Sequence, residues 1–310
     1  MVSKDKPRTK NKEGGKYIII VTFDKIVHMK IVVLGNGSWG PALASVLTDN
    51  KNEVSIWDEK NKIEKADAYI NCLPVQFLRD LLKIAKIEDN ENILFVNGSK
   101  GIEKDTYKLP NEIIREVIGD KIDYFCLIGP SFASEVVAKM PTKVNIGYEK
   151  EVHKEIIKNI FETDYFKVKL IQGIKDLELS GALKNVYAIG CGLADGLGYK
   201  WNTRAWLISI AIDEIGKIIK IDESVTIGVI GDLILTCNSE ESRNFQFGKM
   251  LANEKIEEIL GKIRGTVEGE QTIESVEKYK MPLLDFIAET IKTNDPTQVK
   301  DRFKNFLSLN

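Results

Sequence analysis

The feature that most constrains this chain is Gly35-Asn36-Gly37-Ser38-Trp39-Gly40, a GxGxxG sextet that directly follows the apolar run Lys30–Leu34 and opens the helical run Pro41–Leu47. Its placement between strand and helix matters more than the six letters. The first glycine permits a tight turn, the second lets backbone N–H groups approach a pyrophosphate, and the third lets helix pack on strand. Ser38 and Trp39 fall inside the same candidate cofactor-binding loop, and Pro41 suits a first helical turn, where its missing N–H costs nothing. The next β-rich run ends at Trp57-Asp58-Glu59, so Asp58 stands eighteen residues beyond Gly40. A carboxylate there would accept hydrogen bonds from the adenosine ribose and repel a 2′-phosphate, which favours NAD and leaves NADP possible. The bland alternative is a glycine-rich turn followed by solvated charges.

Seven β-rich runs (Lys30–Leu34, Glu53–Trp57, Ala68–Leu73, Ile93–Asn97, Tyr124–Ile128, Lys143–Gly147 and Phe166–Ile171) alternate with amphipathic stretches. This predicts an α/β domain over 29–172, a Rossmann-type doubly wound parallel sheet. Beyond Gly173 the texture becomes 3.6-periodic, with runs at Lys175–Cys191, Thr203–Ile219, Glu254–Leu260, Thr272–Tyr279 and Pro282–Lys292, which predicts an all-helical C-terminal domain over 173–310. Residues 1–28 read as an N-terminal extension: the Lys-rich start has a disordered composition, and Tyr17–Phe23 could form a strand. Only nine residues, Asp58–Ala66, link the second run to Asp67-Ala68-Tyr69. A parallel crossover normally takes a dozen or more, so the sheet is expected to be shortened, lacking the outer strand beside the second one unless Tyr17–Phe23 replaces it.

Composition narrows the functional classes. The chain has 310 residues, 43% of them hydrophobic and 29% charged, a balance suited to folded domains. Its net charge of −2 gives no electrostatic reason for a nucleic-acid partner. Cys72, Cys126, Cys191 and Cys237 lack CxxC spacing, so neither a metal site nor a disulfide framework is expected. The apolar runs are too short to span a membrane and no secretory pattern opens the chain, which points to a cytoplasmic protein without a membrane partner. His28 and His153 lie outside every motif, which disfavours histidine acid–base chemistry.

Six segments in order, Asn97-Gly98-Ser99-Lys100-Gly101-Ile102-Glu103, Gly129-Pro130-Ser131-Phe132-Ala133, Ser180–Gly190, Gly231–Cys237, Ser242-Arg243-Asn244 and Val267-Glu268-Gly269, give the chain a resemblance to the NAD(P)-dependent glycerol-3-phosphate dehydrogenases from about Met29 to Pro282. The resemblance implies reversible reduction of dihydroxyacetone phosphate, a phosphorylated triose, to sn-glycerol 3-phosphate for glycerophospholipid synthesis. It also implies a homodimer. Lys184 matches the proton-transferring lysine, and a desolvated ammonium there suits protonation of an alkoxide. Asn185, Asp232 and Thr236 match residues that orient this lysine and bind substrate hydroxyls, with Asp232 also in the catalytic set. Arg243 and Asn244 match the holders of the substrate phosphate, Arg243 also contacting cofactor, and a guanidinium fork suits that task. Lys100, also in the catalytic set, matches a lysine between cofactor and substrate, Ser131 a substrate contact, and Gly129, Ala133 and Glu268 cofactor contacts. The short Asp58–Ala66 link departs from the family, which carries a helix and a long loop there. Competing readings are a related two-domain hydroxyacid dehydrogenase and a non-catalytic dinucleotide-binding protein.

Overall fold

The computed structural model describes residues 28–87, 93–220 and 227–309. The candidate strand Tyr17–Phe23 and nearly all of the expected N-terminal extension lie outside the described residues. Seven strands form one sheet: β1 (Lys30–Leu34), β2 (Glu53–Trp57), β3 (Ala68–Asn71), β4 (Leu94–Asn97), β5 (Asp123–Ile128), β6 (Thr142–Tyr148) and β7 (Phe166–Gln172), in the spatial order β2-β1-β3-β4-β5-β6-β7. All seven coincide with predicted runs to within a few residues. Helices α1 (Trp39–Asp49), α2 (Val75–Ala85), α3 (Pro110–Ile118), α4 (Ala133–Val137) and α5 (Lys154–Phe161) intervene.

Alternation along the strands assigns the two faces. Ile31 and Val33 of β1 pack with α1 and α5, whereas Val32 and Leu34 pack on the face covered by α2 and α3. Among the described residues β2 pairs only with β1, and its Ile56 is exposed, so β2 is the edge strand that the short link predicts. Residues 58–67 cross to β3 on the other side of β1 without a helix, pinned at Trp57, whose Nε1 donates to the Asn61 carbonyl at 2.7 Å.

The sheet departs from an all-parallel prediction at one place: β6 runs antiparallel to β5. The thirteen residues between them, α4 included, return the chain at the end it left, and β6 and β7 are again parallel.

The helical half contains α6 (Lys175–Gly196), α7 (Trp201–Ile218), α8 (Asp232–Asn238), α9 (Arg243–Leu251), α10 (Ile256–Lys262), α11 (Glu268–Val276), α12 (Pro282–Thr293) and α13 (Pro296–Leu309). Every residue from Leu177 to Ala194 is buried, so α6 is a central helix and shows no polar stripe. Its first turns sit on the sheet face with Ile128 and Ile171, and its last turns meet α9. There the backbones touch. A Cβ on Gly192 would lie 2.0 Å from the Phe245 carbonyl oxygen, one on Gly196 2.2 Å from that of Lys249, and one on Gly248 2.0 Å from that of Ile189. Helices α8, α9 and α13 carry no predicted run, because each is short or half polar and its periodicity is ambiguous. Among the described residues no helix is long and apolar enough to cross a membrane.

Candidate active site

The glycine loop sits at the carboxyl ends of β1 and β3. Gly35 has φ +106°, a conformation that an L side chain rarely adopts, and its N–H donates to the Trp57 carbonyl at 3.2 Å. Gly40 lies in the first turn of α1 against the loop: a Cβ there would lie 2.0 Å from the Gly35 carbonyl oxygen. Nothing lies within 4 Å of a Cβ built on Gly37, so the loop's outer backbone faces open space beside exposed Ser38. These observations fit a bound pyrophosphate. Trp39 reaches inward, its Nε1 3.0 Å from the Cβ position of Gly98, which joins the loop to the turn carrying Lys100. Asp58 closes β2 as predicted, but its carboxylate is turned onto its own loop, where Oδ1 accepts from Lys60 N–H at 3.2 Å and Asn61 Nδ2 at 2.8 Å.

A second constellation joins the sheet to the helices. Asp232 starts α8 directly after the helical turn Ile227–Gly231, and it is 2% exposed. Lys184 Nζ donates to Asp232 Oδ1 at 3.0 Å and to Thr236 Oγ1 at 2.7 Å. Thr236, one turn after Asp232, donates its own hydroxyl to the Asp232 carbonyl at 2.6 Å, so towards Lys184 it can only accept. From the other side Lys100 Nζ donates to Asp232 Oδ2 at 2.6 Å and to the Gly129 carbonyl at 3.3 Å. One carboxylate thus bridges two ammonium groups, a cluster with one net positive charge.

Burial pushes the Lys184 ammonium down to about 8; Asp232 opposes the shift and Lys100 reinforces it. Burial opposes ionisation of Asp232, yet the two lysines win and hold its carboxyl below its ordinary value. Lys184 is therefore a proton donor of moderate strength with one N–H left to give. Such a group can protonate an alkoxide that forms beside it, while Lys100 steadies the negative charge.

The remaining predicted residues surround this cluster unevenly. Ser131 is half-buried and its hydroxyl donates to the Gly129 carbonyl at 3.0 Å, one bond from the Lys100 contact. Ala133 starts α4, and the neighbouring Ser134 donates to Glu241 at 2.6 Å, tying α4 to the turn before α9. Asn185 is buried beside Lys184, and its carbonyl lies 2.5 Å from the Cβ position of Gly269. Asn244 is also buried, with Oδ1 accepting from the Gly269 N–H at 2.8 Å, so part of its amide already serves packing. Arg243 is more open; its Nη2 donates to Glu268 Oε1 at 2.7 Å, and the two residues predicted to touch ligands touch each other. Sequence reasoning overlooked Glu178, buried on α6 among Asn97, Asn111 and Tyr124. The only available signal was a glutamate among apolar helix positions.

Comparison with known proteins identifies the family. A family model described as the NAD-dependent glycerol-3-phosphate dehydrogenase C-terminus matches residues 174–299. Its N-terminal counterpart matches in two pieces, 30–65 and 58–154, which meet at the shortened link. A Thermotoga sp. NAD(P)-dependent glycerol-3-phosphate dehydrogenase is 33% identical over 309 residues, covering 86% of this chain and 94% of that protein. The Bacillus subtilis protein of the same name is 32% identical over 310 residues, covering 84% and 90%. In structure the chain resembles glycerol-3-phosphate dehydrogenase from Coxiella burnetii, with a TM-score of 0.79 at 24% identity over 89% of this chain and 98% of that one. With matches through both halves and relatives aligned nearly end to end, this chain belongs to the NAD-dependent glycerol-3-phosphate dehydrogenase family.

Proposed function

We propose that the protein reversibly reduces dihydroxyacetone phosphate to sn-glycerol 3-phosphate with a nicotinamide cofactor, NAD in preference to NADP. The carrying observation is the bridged cluster Lys184–Asp232–Lys100, which supplies both a proton and a positive field at one buried point. The loop Gly35, Gly37, Ser38, Trp39 and Gly40 would hold the cofactor pyrophosphate, Asp58 the ribose, and Gly129, Ala133, Lys100, Arg243 and Glu268 the nicotinamide end. A bound reduced nicotinamide supplies the two-electron reduction.

Every other step belongs to side chains of this chain. Lys184 gives its third N–H to the substrate oxygen as the carbonyl becomes an alkoxide, and then transfers the proton. Asp232, Thr236 and Asn185 keep Lys184 aimed, and Lys100 and Ser131 border the same oxygen. Arg243 exchanges Glu268 for the substrate phosphate, with Asn244 beside it; a doubly charged phosphate offers a stronger bidentate partner than one carboxylate. In the oxidative direction the Lys184 amine accepts the hydroxyl proton.

On this reading residues 29–172 and 173–310 are the cofactor and substrate domains, with the reaction between them. The enzyme works in the cytoplasm as a homodimer and feeds glycerophospholipid synthesis, which the family resemblance supports. Following nicotinamide absorbance with dihydroxyacetone phosphate and each reduced cofactor tests the activity directly. No turnover with either cofactor would refute it.

A further inference from the structure

Glu178 stands on α6 six residues before Lys184, 1% exposed, and among the described residues it makes no ion pair. Its carboxylate instead gathers donors from three elements of the sheet half. Asn97 Nδ2, at the end of β4, donates to Oε1 at 3.1 Å, and the Tyr124 hydroxyl on β5 donates to the same oxygen. The Asn111 N–H in the first turn of α3 donates to Oε2 at 3.1 Å. An unpaired buried carboxylate is costly, and such a position calls for a reason beyond packing.

Asn97 supplies the reason. It is fully buried and its amide is saturated: Oδ1 accepts from Asn71 Nδ2 at 2.8 Å and from Ser99 N–H at 3.1 Å, while Nδ2 donates to the Ser99 carbonyl at 3.1 Å and to Glu178. Reversing the amide would set NH2 against two donors, so the carboxylate helps fix its orientation. The turn that Asn97 braces leads to Lys100, whose stem passes α6 at Gly181, 3.5 Å from a Cβ built there, and ends on Asp232.

We propose that Glu178 is a positioning residue which, acting through Asn97, holds the Asn97–Lys100 turn in the register that sets the Lys100 ammonium on Asp232 opposite Lys184. The inference rests on the proposed reaction only in giving that cluster its task. The geometry also makes the device sensitive to pH. Burial pushes the Glu178 carboxyl up to about 7, against the bonds from Tyr124, Asn111 and Asn97, and the Glu112 carboxylate adds to the rise. The titratable and charged groups around it are Tyr124 and Cys126 on β5, Glu112 and Arg115 on α3, and Glu149 after β6; β4 contributes none. A proton on Glu178 turns one acceptor into a donor facing donors, which loosens Asn97.

Glu178→Gln keeps the shape and removes the charge. At its pH optimum kcat should fall on the order of 10- to 10²-fold, the scale of a small misplacement. NADH affinity, read by fluorescence, should hold. Wild-type turnover should drop as pH falls through about 7, and Glu178→Gln should lose that limb. Tyr124→Phe, which removes a donor favouring the anion, should move the limb to higher pH. Asn97→Ala combined with Glu178→Gln should be no worse than the worse single variant, since both act on one path. Additive losses, or an acid limb unchanged in both Glu178→Gln and Tyr124→Phe, would overturn the proposal. Amide hydrogen exchange at Ser99 and Lys100 needs no substrate and should be faster in Glu178→Gln. If the wild type fails to reduce dihydroxyacetone phosphate, the functional reading falls and exchange alone decides the role of Glu178. With an active wild type, unchanged exchange and turnover in Glu178→Gln show that Glu178 positions nothing.

Discussion

Replacing Lys184 by methionine removes a charge and a proton from the centre of the cluster while keeping most of the side-chain volume. Two of the three N–H groups of Lys184 are engaged by Asp232 and Thr236, so one reaches the reacting oxygen. Losing that charge-assisted bond and the proton it delivers should lower kcat by about 10²- to 10⁴-fold, or roughly 3–5 kcal/mol. The neighbours should stay in place, because Asp232 keeps Lys100 and Thr236 keeps its bond to the Asp232 carbonyl. Stability should therefore survive the change. The drop from 10.5 to about 8 means that the site as a whole, burial outweighing Asp232, disfavours the ammonium by about 3 kcal/mol, so Lys184→Met should melt no lower than the wild type near neutral pH.

The sign of the pH dependence follows from the same shift. Between about 8 and 10.5 the unfolded chain keeps the Lys184 proton that the folded chain has lost. Wild-type stability thus gains from this group as pH rises through that window, whereas Lys184→Met gains nothing, and the difference between them narrows. In reduction, kcat should fall as pH rises through about 8; oxidation, which needs the free amine, should rise there. Nicotinamide absorbance, NADH fluorescence and thermal melting on the same preparations separate chemistry from binding and folding. If Lys184→Met retains more than about a tenth of wild-type turnover, the lost stabilisation is under about 1.4 kcal/mol and Lys184 is not the proton donor.

Arg243→Ala should raise the KM for dihydroxyacetone phosphate by about 10- to 10²-fold, at 1.5–3 kcal/mol for a charged hydrogen bond, and leave unphosphorylated dihydroxyacetone almost equally poor. Equal losses for both substrates would remove Arg243 from the phosphate site. NADH should be used at least about tenfold more efficiently than NADPH, because one repulsive contact at Asp58 costs about 1.4 kcal/mol; parity would sink the assignment of Asp58. Gly248→Ala should destabilise the fold by about 2 kcal/mol or more, since the added methyl meets the Ile189 backbone at 2.0 Å. An unchanged denaturation midpoint would show that α6 and α9 can part at little cost.

Much of this molecule was legible in advance where local chemistry decides structure. The seven strands announced themselves as β-rich runs, and among the described residues β2 is an edge strand, as the shortened Asp58–Ala66 link suggests. The glycine loop was readable because a tight turn and a close helix both exclude side chains. The antiparallel β6 was not readable, since periodicity gives no direction and a thirteen-residue connection permits either one. Lys184, Lys100 and Asp232 were recognisable through neighbouring motifs, but their convergence on one carboxylate is a tertiary fact across 132 residues of chain. Glu178 was invisible for the same reason: its partners come from β4, α3 and β5, and none is near it in sequence. The Arg243–Glu268 pair joins two residues that the sequence assigned to ligands separately.

The bare glycine contact between α6 and α9 has a mechanical consequence. Where backbones meet without side chains between them there is no compliant layer, and the two helices cannot slide or rotate past one another without steric overlap. Helix α6, about 33 Å long by its 22 residues, is clamped to α9 at one end and lies against the sheet at the other. It works as a splint common to both halves of the molecule. A wide swing of one half against the other would have to bend this splint.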